Sequence, residues 1–420
     1  MKSKKRFILI ITIFIISIFV AGKIWAAKEV VYEDIKVFLE ALFYVKNAFF
    51  EKDINIKKLE YEAIKGLIKG LDDPYTRFLD PKGFKTFTED MQGSFYGVGM
   101  RLEQKNDKII VVEPLEGTPA YKAGIKPGDQ IIEVDGQSIE GKSIDEVVAM
   151  IRGELGKKVK IKIYRESEKK YYEFELIRVK IEAPIVEDKI LKDNIGYIRF
   201  YEFTQNAPDK LKASLDKMRK NNIAGLILDL RNNPGGDLRS AIEIASFFIS
   251  ENDQVLTTIR DKNNKVIDTF TSKGVVVYRE DRDGNRYGEK VRRNVLWDKP
   301  LVLLINRYSA SASEILSGAI KDYKKAILVG EKTFGKGVVQ SIYTLSDGSA
   351  LIITTERYLL PSGKSIHKEG ISPDYTIEMA PENVGKDKDI QLDKAIEVLK
   401  AEISLRNKKI KEGKFLLNKS

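Results

Sequence analysis

The 420-residue sequence contains no cysteine and a single histidine, His367. The first absence removes disulfide bonds and any thiol nucleophile. The second leaves a Ser-His-Asp triad only one possible base, in the polar stretch PSGKSIHKEG. A complete phosphate-binding loop is lacking too. GEKTFGKG, residues 330–337, comes close to one, but Gly337 stands where a Ser or Thr must hold Mg²⁺. Two β-branched residues, Val338 and Val339, then follow where a helix should begin. The stretch is therefore either a surface turn or the seat of a lysine with other work.

Net basic charge is missing from the body of the chain. The net charge of +10 resides in Lys2, Lys4, Lys5 and Arg6, in Lys23, and in the run from Arg406 to Ser420, leaving residues 24–405 formally neutral. A nucleic-acid binder carries such charge on a folded face, so no nucleic-acid partner is expected. The N-terminal cluster precedes FILIITIFIISIFVAG, residues 7–22, which is apolar except for Thr12 and Ser17. A basic flank before such a run is a secretion signal or a membrane anchor. Sixteen helical residues span roughly 24 Å, short of a hydrocarbon core of ~30 Å. Lys23 can snorkel, however, and the apolar run resumes through Ala27. Ala21-Gly22 and Ala26-Ala27 offer cleavage points. A single-pass anchor is the preferred reading over a cleaved signal. Either one places the cell membrane among the partners and everything after Ala27 in the cell envelope, outside the cytoplasm.

Composition, 43% hydrophobic and 32% charged, suits a globular chain of two or three domains. After residues 1–27, residues 28–92 repeat apolar positions at three and four, as helices do, up to a break at LDDPYTRFLDP. Residues 93–178 alternate short β-type runs with Gly, Pro and Asp turns, with one helical stretch at 143–153. Residues 179–385 alternate strands and helices. IGYIRF, GLILDL, LVLLIN and AILVG read as strands, and the helices between them make an α/β core. A polar hairpin at 274–294 reads as an insertion whose DRDGN is a turn rather than a calcium loop. Residues 386–420 form an amphipathic helix and a basic tail.

Three serines, Ser309, Ser311 and Ser313, follow the buried strand LVLLIN and precede a helix whose apolar face carries Ile315, Leu316, Ala319, Ile320 and Tyr323. A strand-to-helix junction is where an α/β fold presents reactive groups, and the helix N-terminus favours developing negative charge. Serines at such a junction also serve simply as caps. A nucleophilic serine needs a base. Lys336, after a buried strand and between Gly335 and Gly337, is a better candidate than His367, because burial depresses a lysine's pKa. A second glycine-rich loop, DLRNNPGGDL, ends another buried strand. Gly235 and Gly236 can turn backbone N–H groups toward an oxyanion, or simply begin the next helix with Asp237 as its cap.

Two resemblances draw these pieces together. GTPAYKAGIKPGDQIIEVDG resembles a PDZ domain, and GVGM, Gly97, Val98, Gly99 and Met100, falls where that family receives a peptide's C-terminal carboxylate. GYIRFYEFT, GLILDLRNNPGG, LVLLINRYSASASEILSGAIKDY, AILVGEKTFGKGVVQ and TTERYLLPSGKSIHKEGISPD then occur in the order found in the carboxyl-terminal processing proteases. The resemblance covers about residues 30–405. It implies a multidomain α/β serine peptidase with an inserted PDZ-like domain and N- and C-terminal helices. It further implies Ser311 as nucleophile, Lys336 as base and Gln340 as the residue that orients the lysine. The oxyanion would be held by N–H groups of Ala312 and of Gly235 or Gly236. His367 falls where that family tolerates many residues and reads as incidental.

The expected activity is an extracytoplasmic serine endopeptidase that docks proteins or peptides with free C-termini, needs no cofactor or metal, and is a candidate homo-oligomer. The alternative is a catalytically silent PDZ scaffold or chaperone. One geometric expectation is added. Lys336 and Gln340 are four residues apart, ~13 Å along an extended strand, so KGVVQ should coil into a turn when the site is competent, and lie extended with Lys336 withdrawn from Ser311 in an inactive form.

Overall fold

The computed structural model describes residues 35–417 apart from 93–94, 106–107, 182–183, 261–264, 293, 380–382 and 387. The apolar run 7–22 lies outside the described residues, and among those described no helix is long and apolar enough to cross a membrane. The chain divides into two compact units, Met1–Leu67 and Ile68–Ser420. A helix over 35–48 lies in the first, and the helix Ile56–Lys69 begins there.

In the second unit, residues 95–181 build the PDZ-like domain. Its sheet runs in the order Met100–Lys105, Lys108–Pro114, Gln130–Val134, Lys158–Arg165, Lys170–Ile177. Lys158–Arg165 alternates as a half-buried strand should, and Val159, Ile161 and Ile163 enter the domain core fully buried. The helix Ile144–Ile151 begins in a capping box between Ser143 and Glu146 and turns Val147 and Ile151 onto the same core. Met100–Lys105 is an edge strand, so one side of its backbone is open toward this helix.

The α/β core centres on a six-stranded sheet ordered Val186–Leu191, Ile195–Phe200, Gly225–Asp229, Leu301–Ile305, Ile327–Gly330, Tyr375–Thr376. The first pair is antiparallel and the rest are parallel. Every residue of Gly225–Asp229 and Leu301–Ile305 is buried, because helices cover both faces. Leu226, Leu228, Leu301, Leu303 and Ile305 pack with the helices Ala207–Lys220, Leu238–Ala245 and Ala312–Asp322. Ile227, Val302 and Leu304 face the C-terminal helix Ile390–Leu417 through Ala395, Val398 and Leu399. A buried ion cluster ties the end of the Gly225–Asp229 strand to that helix. Arg231 donates to both Asp229 and Asp389, and Tyr197 donates to Asp229.

A second, antiparallel sheet takes in both the break and the hairpin. Within LDDPYTRFLDP, Arg77–Leu79 is a strand paired with the start of Ala350–Leu359. The 274–294 hairpin forms as expected. Its strand Val275–Asp281 pairs with the end of Ala350–Leu359 and buries Val275, Val276 and Val277. Only its outer half, Arg286–Lys290, is the polar rim seen in the sequence.

Candidate active site

The three serines of the junction have different surroundings. Ser309 is fully buried; its hydroxyl donates to the Leu230 carbonyl (2.8 Å) and accepts from the Asn306 N–H (3.0 Å). Ser313, also fully buried, donates to the Asn233 carbonyl at 2.9 Å. Both hydroxyls therefore fasten the serine junction to the 230–236 loop. Ser311 alone of the three is partly exposed. It precedes the helix Ala312–Asp322 at φ 54°, ψ −115°, a turn conformation natural to glycine. A serine held there stores strain of order 1–3 kcal/mol, which surrounding contacts must offset.

The main contact is Glu314, one turn into the helix and fully buried. One carboxylate oxygen accepts from the N–H of Ser311 (2.9 Å) and of Lys336 (2.8 Å). The other accepts from the Gly335 N–H (2.7 Å) and the Thr333 hydroxyl (2.6 Å). Burial holds this carboxyl group's pKa above the usual carboxylate value, and the four donors offset that only in part. One side chain thus holds the serine turn and the lysine loop together. Sequence reasoning missed Glu314, although it is the final letter of the quoted SASASE.

Lys336 is also embedded. Its ammonium donates to Gln340 Oε1 at 3.1 Å and sits 5.1 Å from the centre of the Tyr75 ring. Burial lowers its pKa and the nearby Arg77 charge lowers it further, while Asp73 and Glu314 oppose the shift. The flanking glycines allow the loop to nest. A Cβ on Gly337 would lie 2.4 Å from the His367 nitrogen, and the carbonyl of Gly335, itself at φ 92°, accepts from the Lys368 N–H at 2.8 Å.

The structure overturns the expected coil. Val338–Thr344 is a strand, with Gln340 opposite Thr354, yet Lys336 and Gln340 still touch. Gln340 lies in that strand and Lys336 just before it, and their two long side chains bridge a backbone separation that shorter ones could not. His367, read as incidental, lies beside Tyr75. Its ring meets that of Tyr75 edge-on at 6.3 Å, and burial lowers its pKa.

The glycine loop rests on Ser311. A Cβ on Gly235 would lie 2.6 Å from the Ala310 carbonyl oxygen and 2.8 Å from Ser311 Cβ. The two glycines differ as donors. Gly235 N–H is taken by Asn233 Oδ1 at 2.9 Å. Among the described residues the N–H groups of Gly236 and Ala312 have no acceptor. Gly236 is held by its neighbours, since Phe203 donates to the Gly235 carbonyl and accepts from the Asp237 N–H.

Gly97, Val98, Gly99 and Met100 line a cleft of about 370 Å³ with Val148 and Ile151 of the Ile144–Ile151 helix. Within this loop the Val98 carbonyl accepts from Ala120, and the Gly99 carbonyl from Leu115 and the Thr118 hydroxyl. Gly99 has no room for a side chain, because a Cβ would lie 2.4 Å from Thr118. A second cleft of about 260 Å³ is lined by Gly235 and Gly236 and shares Val148, Glu202 and Pro234 with the first. The peptide-loop groove and the cleft at the glycine loop thus share a wall.

Comparison with known proteins matches residues 194–377 to the model of peptidase family S41 and residues 110–165 to that of a PDZ domain. A solved structure titled photosystem II D1 C-terminal processing protease is 30% identical, with a TM-score of 0.57, over 86% of this chain and 90% of that one. The chain belongs to the carboxyl-terminal processing proteases of family S41. It is also similar to a probable CtpA-like serine protease of Staphylococcus aureus (strain MRSA252), 38% identical over 81% of this chain. A counterpart in Staphylococcus haemolyticus (strain JCSC1435) is 37% identical over 82%. The chain spans 64% and 65% of the length of these two relatives. The inserted PDZ domain and the α/β core are the architecture this S41 family leads one to expect.

Proposed function

We propose that this chain is a serine endopeptidase of the cell envelope, held at the membrane by its N-terminal segment, that docks a protein's C-terminal tail on the PDZ domain and cleaves with a Ser311–Lys336 pair. The neutral Lys336 amine takes the Ser311 hydroxyl proton as the oxygen attacks a peptide carbonyl. The N–H groups of Ala312 and Gly236 receive the oxyanion; Gly235 instead holds the loop through Asn233. As the intermediate collapses, the Lys336 ammonium returns the proton to the leaving amine. An acyl-enzyme remains on Ser311, and water activated by the same lysine resolves it. Gln340 keeps the amine directed while it is neutral or charged.

The observation that carries this reading is the Glu314 carboxylate, which accepts from the backbone of both Ser311 and Lys336. A structural junction has no need to register a strained serine against a buried lysine. The wall shared by the peptide-loop cleft and the glycine-loop cleft supports tail docking close to that pair. The test is cleavage of an unfolded protein with a free C-terminus by the purified full chain. Ser311→Ala and Lys336→Ala should each abolish cleavage while the protein stays folded. Undiminished cleavage by Lys336→Ala would remove the lysine from the mechanism.

A further inference from the structure

The segment Asp73–Arg77 reaches the active site by a route that the serine and lysine motifs do not show. Gln340, whose Oε1 accepts from Lys336, donates from its Nε2 to the Tyr75 carbonyl. An amide that receives on one end and donates on the other has its orientation set by both partners. The Tyr75 carbonyl therefore decides which end of Gln340 faces the lysine. The Tyr75 ring, meanwhile, is the surface over which the ammonium sits.

Asp73 folds the turn that presents this carbonyl. Its Oδ1 accepts from the Tyr75 N–H (3.1 Å), and its Oδ2 accepts from the Thr76 hydroxyl (2.6 Å). Such a carboxylate bonding to the backbone two residues on is an Asx turn. Thr76 is itself buried, and its hydroxyl accepts from the Thr354 N–H at 3.1 Å. Thr354 lies opposite Gln340 in the sheet, between the stretches of the Ala350–Leu359 strand paired to Arg77–Leu79 and to Val275–Asp281. The turn is thus pinned to the strand neighbouring the residue it orients.

We propose that residues 73–76 form a strap that aims the Lys336–Gln340 pair, with Asp73 as its positioning residue. The proposal rests on the Ser–Lys reading above. Without Asp73 the Tyr75 carbonyl is free to swing, Gln340 can present its NH₂ instead of its oxygen to Lys336, and the amine loses its aim at Ser311.

The test uses the full chain and a fluorophosphonate probe, following the first-order rate constant and the final amplitude of Ser311 labelling. The amplitude counts folded sites, whereas the rate constant reports how well each site is aligned. Asp73→Ala should lower the rate constant by about 10²-fold, the cost typical of a small misplacement of catalytic groups. Asp73→Asn, which preserves the turn, should recover to within roughly threefold of the wild type. Thr76→Val, nearly isosteric, should reproduce much of the Asp73→Ala loss and stands in for it if Asp73→Ala does not fold. Labelling at the wild-type rate constant with only the amplitude reduced, in Asp73→Ala or Thr76→Val, would reduce the strap to a stability element and overturn the proposal. So would an Asp73→Asn variant as slow as Asp73→Ala. Lys336→Ala separates the two levels: if it labels normally, the Ser–Lys reading itself is wrong; if it is dead while the strap variants react normally, the strap alone fails.

Discussion

Replacing Glu314 with glutamine removes a charge and one acceptor while preserving shape. The carboxylate serves four donors, two on each oxygen. An amide keeps one oxygen and turns an NH₂ toward the other two donors. Facing the Ser311 and Lys336 N–H groups, the NH₂ would leave two buried donors unpaired. Facing Thr333 and Gly335 it fares better, because the Thr333 hydroxyl, which already accepts from the Ile371 N–H, has a second lone pair for the amide. The Gly335 N–H is then left without a partner, at about 1–3 kcal/mol, and the Thr333 O–H, which also donated to that oxygen, must turn to another acceptor. The remaining bonds lose their charge assistance, and ionic hydrogen bonds are roughly twice as strong as neutral ones. Together the loss comes to about 2–4 kcal/mol, out of a stability of about 5–15 kcal/mol for a typical domain. Glu314→Gln should therefore fold and melt several degrees lower. The lysine loop, held on one side only, should drift from Ser311 and slow fluorophosphonate labelling by about 10- to 100-fold. Thermal melts and labelling rate constants on the same preparation test both halves. A variant that melts with the wild type and labels at its rate would refute the idea that this carboxylate registers the pair.

Two further outcomes follow from the charges and the groove. A lysine base acts only when neutral, so kcat/KM should rise with pH through the Lys336 pKa, which burial and Arg77 place below the ordinary lysine value. Arg77→Gln removes a positive charge, lets that pKa climb, and should move the acid limb to higher pH with lower activity near neutrality; a limb that stays put or moves down counts against the assignment. Val148→Asp, in the wall shared by both clefts, should raise KM for a protein with a free C-terminus by about tenfold or more, since a charge in an apolar subsite must be desolvated. It should leave cleavage of a short unstructured peptide nearly unchanged, and equal losses on both substrates would mean that the groove docks no tail.

The architecture was legible along the chain because its signals are local. Buried strands such as GLILDL and LVLLIN are continuous apolar runs, the PDZ turns are spelled in Gly, Pro and Asp, and the serine and lysine loops lie beside strands whose ends an α/β sheet brings to one edge. Ser311 and Lys336 could be named on that basis together with the family pattern. Choosing among the three serines was different. Ser309 and Ser313 are spent on the carbonyls of Leu230 and Asn233, some 80 residues away in sequence, and no local pattern records such a bond.

Tertiary structure alone decided the rest. Glu314 looked like a helix residue, and only folding sets the Lys336 backbone against its carboxylate. The Lys336–Gln340 spacing suggested a coil because backbone distance was taken for side-chain distance; two long side chains reach each other although the segment is not coiled. The division of labour between Gly235 and Gly236 depends on which N–H finds Asn233. Asp73 and Tyr75, more than 260 residues before Lys336, join the site only because Arg77–Leu79 pairs with Ala350–Leu359. A sequence specifies what each segment can become through propensity and pattern. Which distant donor meets which acceptor is settled when the sheets close, because a hydrogen bond acts over about 3 Å and carries no memory of chain separation.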